Sequence, residues 1–420
     1  MVNIWNRIPK HRLISDGIYL VKWILLGCGM GFLVGGVITG FYYALHFSTK
    51  LRMENPWIIA FLPAAGLFIV FLYRAAGDLE DKGTNLVILS ISGNESVPLK
   101  KAPLIFVSTA ITHMFGGSSG RESAALQIGG CIGQNVGRAL RLKRGDIKTI
   151  TMCGMSAAFA ALFGTPMSAA LLAMEISSVG VLYYSALIPC VLSALVATSF
   201  SEFLGAEGDV FRVNTTPEFT LNNAVLCVIL ALLCALLSSF FCWLLHKAGQ
   251  LYKSFFPNQY LRIAVGGGIV AALTFLLRTT IYNGAGMDVV ELAFEGKIPL
   301  YAFLLKMLFT ALTLGAGFKG GEIVPSLYIG ASFGCTFATL FGTSVPTSCA
   351  IGMAAMFCGV TNCPIASLLL CFEMFGYAGI PYYFLAIAFA YTFSGYYGLY
   401  GSQKIVYSKT RNKYINRKTK

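Results

Sequence analysis

Gly116-Gly117-Ser118-Ser119-Gly120-Arg121-Glu122-Ser123 sets five small residues ahead of a cation and a carboxylate, and an uncharged run, residues 124–132, follows at once. An ionisable residue opening an apolar segment is costly inside a membrane and marks a functional position by default. The small-residue turn leaves backbone N–H groups free and directs the positive end of the next helix dipole at one point. That geometry suits a small anion. The turn is therefore the centre to which the rest of the chain is related.

Composition supports a membrane setting. Of 420 residues, 56% are hydrophobic, 12% are charged and 45 are glycine, and mean hydropathy is +0.71. This excludes a set of water-soluble domains and indicates a polytopic, all-α membrane protein. Apolar runs at 19–43, 57–73, 224–245 and 261–277 approach or exceed the roughly 20 residues a helix needs to cross a bilayer. The net charge of +13 is carried by short connections, residues 6–22, 138–144 and 404–420, rather than by a folded basic face. The positive-inside rule then places both termini in the cytoplasm with an even number of full crossings, and nucleic acid is not an expected partner. No cleavable signal is expected. The twelve cysteines stand singly, mostly in apolar runs, and with only four histidines they read as small buried hydrophobes, with neither disulfides nor metal implied.

The second half of the chain repeats the first. The turn ending in Glu122 is answered by Gly315-Ala-Gly-Phe-Lys-Gly-Gly-Glu322-Ile323-Val324-Pro325, and Thr165-Pro166 by Thr361-Asn362-Cys363-Pro364. Eight apolar residues then lead to Glu175 in one half and to Glu373 in the other. Glu122 to Glu175 spans 53 residues and Glu322 to Glu373 spans 51. Internal repeats with helices broken in matching places are the pattern of transporters whose site lies near the midplane. A cytoplasmic segment 1–17, a first repeat 18–204, a polar loop 205–223, a second repeat 224–405 and a basic cytoplasmic tail 406–420 follow from this division. Inversion of the repeats is expected, because a central site fed by helix N-termini from both sides requires it.

Four elements carry the expected chemistry. Gly83-Thr84-Asn85, Gly120-Arg121-Glu122 and Gly321-Glu322-Ile323-Val324 can present free N–H groups, and Tyr400 can add a phenol O–H. Such dipoles hold an anion firmly enough to admit it and weakly enough to release it, which a buried full charge would not do. Glu122 then serves as a gate: ionised, it competes for the N–H groups; protonated, it swings away and carries a proton. Glu322 is a second candidate for proton handling. Simpler readings stand beside these. Thr84 or Asn85 can cap a helix, Arg121 can pair with Glu122, and Glu175 and Glu373 suit structural pairing or interfacial exposure.

Together these residues resemble the CLC family of anion channels and proton-coupled antiporters over about residues 18–405. The resemblance rests on Gly-Arg-Glu122 after a Gly/Ser turn, Gln127-Ile-Gly-Gly130, Gly-Gly-Glu-Ile-Val-Pro325 and Thr-Asn-Cys-Pro364. It implies an inverted-repeat fold, a homodimer in the cell membrane with one anion pathway per subunit, no cofactor, and Glu122 as the external gating glutamate. Gly317-Phe-Lys-Gly-Gly-Glu322, the turn at Thr84 and Asn85, and Tyr400 are similar to the bacterial fluoride/proton branch. Gly120, Arg121, Ile323 and Val324 complete the implied anion site, with halide and protons as the transported partners.

The chain departs from family patterns at several positions. The Gly-Ser-Gly-Ile-Pro turn of chloride members is absent, and Ile176 stands where many chloride/proton exchangers carry an internal glutamate. Ser123 replaces the Gly that usually follows the gating Glu, and Val324 lies where a Thr is common among fluoride members. A chloride channel or chloride/proton exchanger is the alternative transport reading. A rhomboid-like serine protease is a third, with Gly117-Ser118-Ser119-Gly120 as nucleophile turn and His246 as base.

Overall fold

The structure is a computed structural model that describes residues 10–78, 81–93, 95–213 and 216–419, with side chains from residue 17 onward. The first half comprises α1 (Lys10–Glu54), a 3-10 turn (Pro56–Phe61), α2 (Leu62–Ala75), α3 (Thr84–Ser92), α4 (Lys101–Met114), α5 (Glu122–Ala139), α6 (Arg144–Phe163), α7 (Pro166–Glu175) and α8 (Leu187–Phe203). The second comprises α9 (Leu221–Phe255), α10 (Gln259–Leu277), α11 (Met287–Phe294), α12 (Ala302–Ala316), α13 (Ile323–Phe341), α14 (Val345–Thr361), α15 (Pro364–Phe375) and α16 (Ile380–Phe393). Seven helical segments among the described residues are long and apolar enough to cross a bilayer; α12, α14, α15 and α16 are apolar but shorter. Each of these short helices begins or ends at a Gly or Pro break.

The halves match element by element. α6 ends on Gly164 in the left-handed region at φ 71°, and α14 ends on Asn362 there at φ 59°. α7 and α15 then start behind Thr165 and Cys363, with φ of −123° and −118°. Backbones touch where α5 crosses α6, since a Cβ on Gly129 would lie 2.1 Å from the Gly154 carbonyl oxygen. They touch again where α13 crosses α14, with a Cβ on Gly330 2.4 Å from the Gly352 oxygen. Small residues permit this close approach, and without a hydrophobic driving force between helices in lipid, such packing holds a bundle together. All twelve cysteines are free, and all but Cys28 are buried.

α7 and α15 lie antiparallel and cap one another. Neither helix has a side-chain cap of its own. Glu373, near the end of α15, accepts the Met167 and Ser168 N–H groups of α7 at 2.7 and 2.9 Å. Glu175, at the end of α7, accepts the Ala366 N–H of α15 at 3.1 Å. Each carboxylate meets the positive end of the partner helix and satisfies donors that the bilayer could not. Structural pairing is thus the arrangement found at both glutamates.

Residues 404–418 are not a plain extension. They form a hairpin, β2 (Lys404–Tyr407) and β3 (Tyr414–Lys418), with β2 pairing in parallel to β1 (Ser178–Val179). Apolar periodicity gave no sign of this small sheet, whose strands are short and partly polar. Between the strands the Lys409 ammonium donates to Asn362 and, at 2.9 Å, to Ser394, the C-caps of α14 and α16. A cation at two helix C-termini offsets the negative dipole ends. Lys22 of α1 pairs with Asp146 at the start of α6 at 2.6 Å, and α6 followed by α7 returns the chain to β1.

Candidate anion pathway

The two Gly-rich turns meet at the centre. Gly120 N–H donates to the Gly321 oxygen at 2.6 Å, and Gly321 N–H donates to the Gly120 oxygen at 2.7 Å. Glycine is required here, because a Cβ on Gly120 would stand 2.6 Å from a Glu122 carboxylate oxygen and 2.9 Å from Pro325 Cδ. From this bridge α5 and α13 diverge, each with its N-terminal dipole end at the middle of the molecule.

Pairing Glu122 with Glu322 as repeat equivalents is corrected by one residue. Arg121 and Glu322 are the N-cap residues, with φ/ψ of −119°/−18° and −102°/−16°, and Glu122 and Ile323 are the first helical residues. One step around a helix turns a side chain by roughly 100°. The equivalents Arg121 and Glu322 therefore line different cavities. Arg121 lines a cavity of about 660 Å³ shared with Tyr42, Arg52, His113 and the inter-repeat loop residue Asp209. Glu322 lines one of about 180 Å³ shared with Thr84, Asn85, Gln127, Lys319 and Tyr400. The same opposition recurs at α3 and α11. Both start on a glycine of positive φ, Gly83 at 54° and Gly286 at 83°, and Gly83 faces the smaller cavity while Gly286 faces the larger. Equivalent positions that face opposite openings are what inverted repeats produce. The α11 turn was not singled out in the sequence, where it reads only as a short apolar element.

Glu122 lies between the cavities, fully buried. Its Oε2 accepts the Arg121 N–H at 3.0 Å and the Val324 N–H of α13 at 3.3 Å. The carboxylate thus occupies backbone donors at the starts of both α5 and α13. Ile323, beside Val324, is fully buried and apolar. On the far side of this contact a second group gathers: Ser123 Oγ–H donates to Glu322 Oε2 at 2.8 Å and lies 3.1 Å from the Tyr400 hydroxyl. Since serine has one proton, Tyr400 is the donor to Ser123. Ser123 was noted only as a departure from pattern; its place at the shared turn of α5 makes it the link between Glu322 and Tyr400.

The first-half turn joins from α3. The N-cap is Gly83 rather than Thr84 or Asn85, and it has no side-chain cap. Thr84 Oγ1 accepts from Gln127 Nε2 at 3.0 Å and lies 3.4 Å from the Ser123 oxygen, and Asn85 Oδ1 accepts the Ser402 N–H at 2.9 Å. Asn85 therefore ties α3 to the segment that carries Tyr400. Gln127, which in the sequence is only part of a motif, and Asp81, in a polar connection, prove to be direct neighbours of the α3 turn. Asp81 Oδ1 accepts the Gly83 N–H at 3.0 Å and Lys101 Nζ at 2.8 Å, and Oδ2 accepts Lys319 Nζ at 2.7 Å. Burial alone would push the Asp81 carboxyl up, but Lys319 and Lys101 outweigh it and hold it well below the usual carboxylate range. The cluster fastens the α3 turn to the α13 turn.

Residues 61–395 match the voltage gated chloride channel family. The chain belongs to the CLC family. This CLC protein is 33% identical over 398 residues to the "Chloride/fluoride channel protein" of Pseudomonas syringae pv. tomato, covering 93% of this chain and 88% of the relative. It is also similar to the crystal structure of a CLC-type fluoride/proton antiporter, with a TM-score of 0.88 and 33% identity over 91% of this chain and 98% of that one. A slow cyanobacterial Cl⁻/H⁺ antiporter shares the fold, with a TM-score of 0.78 and 19% identity over 89% of this chain and 94% of that one. The protein is a multi-pass membrane protein and a CLC-type anion transporter, not an enzyme. The protease reading has no support in the geometry of this CLC chain: Ser119 Oγ, the nucleophile of that turn, is buried without a hydrogen-bond partner, while His246 lines a separate cleft with Trp243 and Lys253.

Proposed function

We propose that this CLC protein exchanges fluoride for protons across the cell membrane, with Glu122 as both gate and proton carrier. The observation that carries the reading is the position of the Glu122 carboxylate on the Val324 N–H, closing the contact between two cavities. Ionised, it fills the anion's place at the α5 and α13 N-termini. Protonated, it loses its hold on those donors, and a small anion takes them up together with the Tyr400 O–H. A weakly charged, donor-rich site suits fluoride, which needs hydrogen bonds to replace its hydration shell. Glu322, joined through Ser123 to Tyr400, hands the proton onward to the smaller cavity. The similarity to a fluoride/proton antiporter supports the choice of ion and of coupling. The larger cavity then opens outward and both chain ends lie in the cytoplasm, with two subunits forming a homodimer.

The test is purified protein in liposomes under a fluoride gradient, run in parallel with chloride, with external pH recorded and flux through empty liposomes subtracted. Fluoride movement coupled to opposite proton movement, exceeding that with chloride and abolished in Glu122→Gln, is expected. Anion flux without linked protons would leave a channel and overturn the reading.

A further inference from the structure

Arg121 has a second partner outside the gate motif. Its Nη2 donates to Asp209 Oδ2 at 2.5 Å, and its guanidinium carbon stands 5.8 Å from the Tyr42 ring centre of α1. Toward the gate the geometry is incomplete. Arg121 Nε lies 3.5 Å from Glu122 Oε1, too far for a good hydrogen bond, and both atoms are buried without a hydrogen-bond partner. A donor and an acceptor of opposite charge thus face each other across a gap that a small movement of the guanidinium would close. Leaving both unsatisfied is costly, so something must hold the arginine back.

The inter-repeat loop is built to do that. Gly208 packs on the end of α6, where a Cβ would lie 2.5 Å from the Phe163 oxygen. Two and four residues past Asp209, the Phe211 and Val213 N–H groups donate to the Met374 and Phe375 oxygens at 2.9 and 3.1 Å, and Phe211 stacks on Phe294. Asp209 is therefore presented from a fixed backbone, with 18% of its side chain exposed in the larger cavity. We infer that Asp209 is a positioning residue for the gate: it draws the Arg121 guanidinium away from Glu122, so that the gate carboxylate is held by weak backbone contacts and remains able to take up a proton.

Without Asp209, Arg121 turns onto Oε1 and clamps the ionised form. The other charged or titratable groups near this pair are His113 of α4, whose Nε2 lies 3.3 Å from the Gly120 oxygen, Arg52 of α1, which donates to the His113 carbonyl, Lys306 of α12, Glu322 and Tyr400 across the bridge, and, lining the larger cavity, Tyr42 and His46 of α1, Glu207 of the inter-repeat loop and Asp288 and Glu291 of α11. The Asp209→Asn change leaves all of them in place. This inference rests on Glu122 being the gate.

The experiment is proton-coupled fluoride transport in liposomes as a function of pH on the side of the larger cavity, for wild type, Asp209→Asn, Asp209→Glu and Glu122→Gln. The pH of half-maximal transport in Asp209→Asn is expected to fall by about one unit, in the direction set by an arginine gaining a carboxylate. Asp209→Glu should restore most of the profile. An unmoved or upward-shifted profile in Asp209→Asn overturns the inference, including the case where flux falls at every pH in protein that remains monodisperse. If instead Glu122→Gln keeps its proton coupling, the gate reading itself has failed, whatever Asp209→Asn does.

Discussion

Gly120 and Gly321, from opposite halves of the chain, exchange backbone hydrogen bonds at 2.6 and 2.7 Å and so bring the N-termini of α5 and α13 to a common centre. Neither bond could form at this separation with a side chain on Gly120. In lipid the two peptide groups have no water to turn to. The bridge joins the two halves at the turns that carry Glu122 and Glu322.

Gly120→Ala should therefore lower fluoride flux at least about ten-fold, because the new methyl displaces the Glu122 carboxylate or splits the bridge. Gly29→Ala on α1, where a Cβ meets nothing within 4 Å, should leave flux unchanged. Equal fluxes for both variants in liposomes would show that the bridge is not needed.

Ser123→Ala should separate protons from anions. Its hydroxyl is the link from Tyr400 to Glu322, while the Glu122 contacts are made by backbone groups. Proton flux should fall several-fold relative to fluoride flux, since a transfer path loses its relay group. A stoichiometry unchanged from wild type, measured with ion-selective and pH electrodes on the same vesicles, would count against a path through Ser123.

Glu373→Ala leaves the Met167 and Ser168 N–H groups of α7 unpaired, and Glu175→Ala does the same to Ala366 of α15. Each should cost about 1–2 kcal/mol. The thermal midpoint of the detergent-solubilised protein should fall in both, and more for Glu373, which satisfies two donors. Unchanged midpoints would mean that other groups take over the caps.

The Asp81 cluster gives a pH prediction with a definite sign. Its carboxyl is held below the ordinary value of 3.8, so the folded state binds fewer protons than the unfolded chain in the acid range. The stabilisation is present in full above that value and is lost as pH falls through the lower folded one. Asp81→Asn should cost about 3 kcal/mol, as expected on removing one partner from a mostly buried ion cluster. The difference in thermal midpoint between wild type and Asp81→Asn should hold constant from pH 7 down to about pH 5 and close only at stronger acid. A gap that closes near pH 6 would contradict the assignment.

Local letters carried much of this protein. Apolar runs, Gly and Pro breaks and the order of the two halves specify broken membrane helices, because in lipid the backbone must satisfy itself within each segment and only certain residues permit an interruption. Glu122, Arg121, Val324, Glu322 and Tyr400 draw attention in the sequence for the same reason: each stands at or near such a break. The one-residue offset that places Glu322 opposite Arg121 was not, since both glutamates follow similar turns and only the start of each helix distinguishes them. Nor were the long-range partners. Ser123 meets Glu322 across 199 residues and Tyr400 across 277, and Arg121 meets Asp209 across 88. The hairpin at 404–418 likewise depends on β1, far back in the first half. Hydropathy and turn chemistry act over a few residues, so they determined where helices stop; which polar groups then face one another was decided only when the two halves packed.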